Sequence, residues 1–234
     1  MTLIIENLQD IQQNIENACL KAGREPSDVT IIAVTKQVST ERAIEALEAG
    51  LTNLGENRPE GLLEKHEMIA NRATWHYIGS MQTRKVRKVI DQIDYLHSLD
   101  RISLAQEIEK RADSIISCFV QVNVSGEKSK HGLTPEEVPE FIDQLADFTH
   151  IRIVGLMTMA PNTEDKEIIR NVFKKLKKLQ LEIASKGYEY APCTELSMGM
   201  SNDYEIAVEE GATFVRIGTA LVGNERRDSY ENEG

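Results

Sequence analysis

Cysteine is scarce in this chain of 234 residues. Cys19, Cys118 and Cys193 are odd in number, widely spaced and without a C-x-x-C pair. That argues against a disulfide framework or a thiolate zinc site and fits a reducing, cytoplasmic setting. Long apolar runs are missing too. The densest, residues 29–34, is far shorter than the ~20 apolar residues a membrane-spanning helix takes. Positive charge is in deficit, with 27 Lys and Arg against 38 Asp and Glu, a formal net charge of -11. Nucleic acid and anionic membranes both attract positive fields, so neither is expected as a partner. A small basic pocket for an anionic ligand stays compatible with that balance. The first turns carry Glu6 and Asp10 and do not read as a signal peptide. The histidines lack H-x-x-x-H spacing, so no metal is expected. Neither a Walker loop nor a Ser-His-Asp signature occurs.

What the chain does have is alternation. Ile4, Leu8, Ile11, Ile15 and Ala18 recur at helical steps within residues 3–22, and Gly23 suits the end of that helix. Residues 29–34 form a β-branched run, as in a strand covered on both faces. Ser39 or Thr40 suits the cap of a helix ending at Gly50. Further strands are expected near 52–55, 75–78, 93–97, 115–124, 151–156, 193–197 and 213–217. Helices are expected near 58–70, 83–90, 101–112, 135–146, 165–186 and 203–210, with Pro135 in the first turn of its helix. Strands alternating with helices imply parallel pairing and right-handed crossovers. The α/β class follows, as a single (β/α)8 TIM barrel with an extra N-terminal helix, over residues 1–224. An open doubly wound sheet is the alternative, but it usually shows G-x-G-x-x-G after its first strand, and Thr35-Lys36-Gln37 stands there. The charged, polar stretch 225–234 reads as a disordered tail.

A barrel of this kind places chemistry at the C-terminal ends of its strands. Lys36 follows the first strand and Gly55-Glu56-Asn57-Arg58 the second, while the third carries His76. The seventh runs into Ser197-Met198-Gly199-Met200-Ser201, and the eighth into Arg216-Ile217-Gly218-Thr219. Small residues and hydroxyls in two adjacent loops read as an anion cradle, and the helix near 203–210 would turn its positive end to it. Lys36, beyond a buried strand, is expected to lose hydration and act as a nucleophilic amine. An amine opposite a phosphate site suits an aldehyde with a phosphate handle. Pyridoxal 5'-phosphate (PLP) fits that description, and so does a phosphorylated sugar in an aldolase. His76 alone reads as a core histidine. Lys174, Lys175, Lys177 and Lys178 read as the wet face of an amphipathic helix.

Seven segments then coincide in order with one family. They are Ala33-Val34-Thr35-Lys36, Gly55 to Arg58, His76-Tyr77-Ile78-Gly79, the run from Gln121 to Gly132, Gly155 to Met159, Leu196 to Ser201, and Arg216-Ile217-Gly218. Together they resemble the PLP homeostasis protein family, which is similar to the isolated N-terminal barrel of alanine racemase, the fold-type III PLP proteins. The resemblance implies a Schiff base on Lys36. It implies a phosphate held by Ser201, Gly218, Thr219 and the turn of Ser197, Met198 and Gly199. Arg216 would meet the pyridine nitrogen, and Asn57 and His76 would line the ring. Ser80-Met81-Gln82 and Pro59-Glu60-Gly61 depart from the family's usual residues at the rim. The implied role is cytoplasmic PLP buffering or delivery, with apo PLP-dependent enzymes as acceptors and no robust turnover. A weak amino-acid racemase is the alternative. Its opposite-face tyrosine comes, in alanine racemases, from a C-terminal β domain that this chain is not expected to carry. A barrel that binds a protein or RNA partner and merely retains PLP is a third class. Without that β domain, a monomer is expected.

Overall fold

The computed structural model describes residues 2–127 and 131–225. Its described strands close into one parallel barrel in chain order: β1 (Thr30–Val34), β2 (Asn53–Glu56), β3 (Thr74–Tyr77), β4 (Tyr95–Leu99), β5 (Ile116–Gln121), β6 (Ile151–Met157), β7 (Glu195–Ser197) and β8 (Phe214–Ile217). β8 closes onto β1 with Thr30 opposite Phe214 and Ala33 opposite Ile217. The expected fold is therefore the observed one.

The helices are α1 (Thr2–Ala22), α2 (Thr40–Glu48), α3 (Pro59–Ile69), α4 (Val86–Val89), α5 (Ile102–Arg111), α6 (Val138–Asp143), α7 (Lys166–Ala184), α8 (Tyr204–Glu209) and α9 (Thr219–Val222). Their ends follow local chemistry. The Ser39 hydroxyl accepts from Arg42 N at 3.2 Å and caps α2. Asp165 Oδ1 accepts from Glu167 N at 2.9 Å and caps α7. Such caps contribute about 1 kcal/mol each. Gly23 leaves α1 in a left-handed conformation, φ 65°. No described helix is long and apolar enough to cross a membrane.

Two details differ from expectation. The sixth helix starts at Val138, because Thr134 and Pro135 belong to a preceding turn in which Thr134 N donates to Glu137 Oε2 at 2.8 Å. The expected helix 83–90 splits into a 3-10 turn, Thr83–Lys85, and the single turn of α4. Residues 226–234 of the expected tail lie outside the described residues. Glu225 itself is placed, its carboxylate accepting from Ser39 N at 2.5 Å and facing Arg42 Nε at 3.4 Å.

Apolar packing falls into two layers. The larger lies between sheet and helices and takes one face of α1 (Ile4, Leu8, Ile11, Ile15), which packs on α8 and α9. The smaller fills the barrel interior with Ile32, Phe119, Met157 and Phe214, flanked by Tyr95 and Val154. Fully burying such a side chain stabilises by about 1.5–3 kcal/mol.

Candidate functional site

β1 ends at the mouth through a buried polar clasp. The Thr35 hydroxyl donates to Glu56 Oε1 at 2.7 Å, and Lys65 Nζ pairs with the same oxygen at 2.9 Å. Both members of that ion pair are buried, which ties the ends of β1 and β2 to α3. Lys36 and Asn57, which follow Thr35 and Glu56 in the chain, are thereby held at the same rim. The third loop runs flush against the second. A Cβ on Gly79 would lie 2.2 Å from the Asn57 carbonyl oxygen, so only glycine fits there.

These loops surround a cavity of about 380 Å³ at the C-terminal mouth. Lys36, Asn57, Ser201, Arg216, Gly218 and Thr219 line it, with Gln121, His131, Ile78 and Met157, Met159 and Met200. No Asp or Glu is among its described lining residues, in a chain whose net charge is -11.

Arg216 stands inside, on β8, and is 5% exposed. Its guanidinium donates to Ser197 Oγ and, at 3.1 Å, to the Thr158 carbonyl oxygen. Burial pulls its pKa down to about 10, against the opposing pull of the Asp203 carboxylate, so it stays charged at neutral pH. Among the described residues it makes no ion pair. Ser197, Met198 and Gly199 lie buried beneath the lining. Gly199 turns the chain at φ 95°, where a Cβ would come 2.6 Å from Ala207 Cβ. Its carbonyl accepts from Arg216 N at 3.0 Å, which joins the seventh and eighth strand ends.

Three expectations need correcting. Lys36 is exposed, because Thr35 takes the buried position at the strand end and Lys36 falls in the following turn, shared with a second cavity around Arg58 and Glu64. Its mark is its place at the mouth, not dehydration. His76 does not line the cavity. It is fully buried inside the barrel, stacked on Tyr95 at 4.6 Å between ring centroids. The start of α8 is taken up by the chain's own carboxylate. That helix is short, and the Asp203 carboxylate at its start accepts from Met200 N at 2.6 Å. Ser201, Gly218 and Thr219 line the cavity, and their N–H and O–H groups are hydrogen-bond donors.

Sequence reasoning missed His97, Thr158 and Asp203 as supports of Arg216. His97 was legible in part. It shares strand parity with Tyr95, but the expected strand 93–97 left it at an end, whereas β4 runs to Leu99 and makes it central.

The family model described as alanine racemase, N-terminal domain, matches residues 7–226. The pyridoxal phosphate homeostasis protein of Aquifex aeolicus is 39% identical over 225 residues, 94% of this chain and 98% of that protein. The chain belongs to the pyridoxal phosphate homeostasis protein family. The family's Escherichia coli K12 member is 32% identical over 231 residues, 95% of this chain and 97% of its own. PipY of Synechococcus elongatus, solved with PLP bound, has a TM-score of 0.82 at 30% identity, covering 94% of this chain and all of PipY. An alanine racemase of Clostridium difficile reaches a TM-score of 0.70 at 19% identity, over 92% of this chain and 56% of the enzyme, which is a likeness of fold.

Proposed function

We propose that this protein binds PLP at the C-terminal mouth, as a Schiff base on Lys36, and serves intracellular PLP homeostasis. In this reading residues 1–224 form a monomeric, cytoplasmic PLP-binding barrel that buffers the cofactor and passes it to apo PLP-dependent enzymes. The observation that carries it is the composition of the cavity. Two cations, Lys36 and Arg216, meet hydroxyls and small residues there, with no carboxylate among the described lining residues. An anionic aldehyde suits that set better than any neutral ligand.

PLP, when bound, supplies an electrophilic carbonyl and a ring that can withdraw electrons. The protein's own groups decide how far that is used. Arg216 only donates hydrogen bonds, so a ring nitrogen facing it stays unprotonated and withdraws electrons weakly. Lys36 is open to water, where a competing amine can reach it. Both features favour carriage over turnover. The alternative, slow racemisation, needs a second proton-moving group, and His131 is the lining residue of that kind.

The test uses the whole chain. Loading with PLP followed by borohydride should fix the label on Lys36. Mixing the loaded protein with an apo PLP enzyme should restore that enzyme's activity, while a panel of amino acids shows no Cα exchange in D2O. A label on another residue overturns the site assignment, and fast Cα exchange overturns carriage in favour of racemisation.

A further inference from the structure

Beneath the cavity floor the barrel interior holds a line of polar groups. His76 on β3 and His97 on β4 are both fully buried. His97 Nδ1 lies 2.8 Å from Ser197 Oγ, the atom that accepts from Arg216. His97 Nε2 lies 2.9 Å from His76 Nδ1, and His76 Nε2 lies 2.9 Å from Asn53 Oδ1. The line thus runs from the cavity residue Arg216 to the first residue of β2, near the opposite mouth.

Elementary chemistry gives the line a direction. The Asn53 amide nitrogen faces Thr52 Oγ1 at 3.5 Å, which leaves Oδ1 for His76. A carbonyl oxygen only accepts, so His76 Nε2 carries hydrogen. A neutral imidazole has one N–H, so His76 Nδ1 accepts and His97 Nε2 donates. His97 Nδ1 is then an acceptor, and the single Ser197 hydroxyl hydrogen goes to it. The serine's lone pairs are left for the guanidinium. Protonating His76 would set donor against donor, protonating His97 would take away the acceptor of the Ser197 hydrogen, and either would add a cation to the dry interior that already holds Arg216. Burial drives His76 down to about 3, and His97 well below its ordinary range.

We propose that His97, backed by His76 and Asn53, is the positioning residue for Arg216. By taking the Ser197 hydrogen it makes the serine a pure acceptor. Arg216 is then clamped between Ser197 and the Thr158 carbonyl, with its outward N–H held toward the ligand. The role of Arg216 toward a PLP ring rests on the function proposed above, but the clamp does not.

The experiment compares the wild type with His97→Leu, which removes both ring nitrogens, and His97→Gln, which keeps an amide acceptor and donor. In the apo protein, long-range 1H–15N spectra should show both histidines neutral and protonated at Nε2 from about pH 5 to 8. A charged ring, or an Nδ1–H tautomer, overturns the line whether or not PLP binds. The Arg216 guanidinium N–H signals should exchange slowly in wild type, vanish in His97→Leu and return in His97→Gln. In the loaded protein, His97→Leu should weaken PLP about tenfold, as for one lost hydrogen bond, and move the absorption band. His97→Gln should recover most of both. Unchanged guanidinium signals and PLP affinity within about twofold in His97→Leu overturn the positioning role. If His97→Leu does not fold, a His97→Gln protein whose guanidinium signals stay lost does the same. Wild-type signals as expected but no uptake of PLP would instead overturn the function proposed above.

Discussion

The same eight strands feed two mouths, and the mouths differ in charge balance. At the N-terminal end a cavity of about 970 Å³ carries Arg24, Arg152 and Lys177 beside Asp28 and Glu195. Two of its cations have local hydrogen-bond partners. Arg24 donates to the Val208 carbonyl at 2.8 Å, and Lys177 Nζ to Gln180 Oε1 at 2.9 Å. The smaller cavity at the C-terminal end has Lys36 and Arg216 and no lining carboxylate among the described residues. The proposed ligand site is therefore the smaller of the two cavities. Arg216 feels the Asp203 carboxylate but makes no ion pair among the described residues, and a mouth with two cations and no lining carboxylate suits a ligand that brings the opposite charge.

The strongest way to break this contrast is to neutralise one lysine at each mouth. Lys36→Ala should abolish borohydride-fixed PLP, and Lys177→Ala should leave it intact, as read by mass spectrometry of the reduced protein. Equal labelling in both variants would remove the distinction between the mouths.

Acid should expose the polar line between the mouths. His76 is neutral in the fold, with its pKa lowered from 6.5 to about 3 by burial, but it takes up a proton once unfolded. The unfolded chain then binds more protons below pH 6.5. This contribution to stability is complete above that pH and is lost progressively toward about 3. Urea unfolding at pH 5 should show a loss of about 2 kcal/mol from this histidine relative to pH 7. His97 shifts in the same direction, so His97→Gln should flatten the dependence. A pH-independent urea midpoint would contradict the buried, neutral pair.

Glycines sharpen the comparison at smaller scale. Gly199 and Gly50 share φ 95°, but only Gly199 has a neighbour within 3 Å of an added Cβ. Gly199→Ala should cost about 3 kcal/mol and Gly50→Ala about 1, compared by thermal unfolding. The smallest effect belongs to the rim. Glu225→Gln should lower stability by under about 1 kcal/mol, and the difference should fade in concentrated salt.

Much of the fold was legible, because strand runs and helical periodicities are local patterns. Each expected strand lies within about two residues of an observed one at most ends, and β5 is the exception, ending at Gln121 instead of near 124. The helix from Pro135 misread a turn that a side chain, Glu137, stabilises. The loops around Lys36, Asn57, Ser201 and Arg216 were legible as a group, since a parallel barrel delivers all its strand ends to one side. His76 is the core histidine that the residues suggested, and the resemblance misplaced it at the ring for the same reason that His97 was missed. Strand membership does not say how deep an inward side chain sits, or what meets it.

By itself, then, the sequence determined the alternation, the closure into a barrel and the family, since each depends on patterns within a few residues or on ordered motifs. Tertiary structure alone decided which mouth has cations and no lining carboxylate among the described residues, that Lys36 stands in water, and how Arg216 is held. The physical reason is distance along the chain. His97 and Ser197 are 100 residues apart in sequence and 2.8 Å apart in space, and no local pattern encodes such a contact.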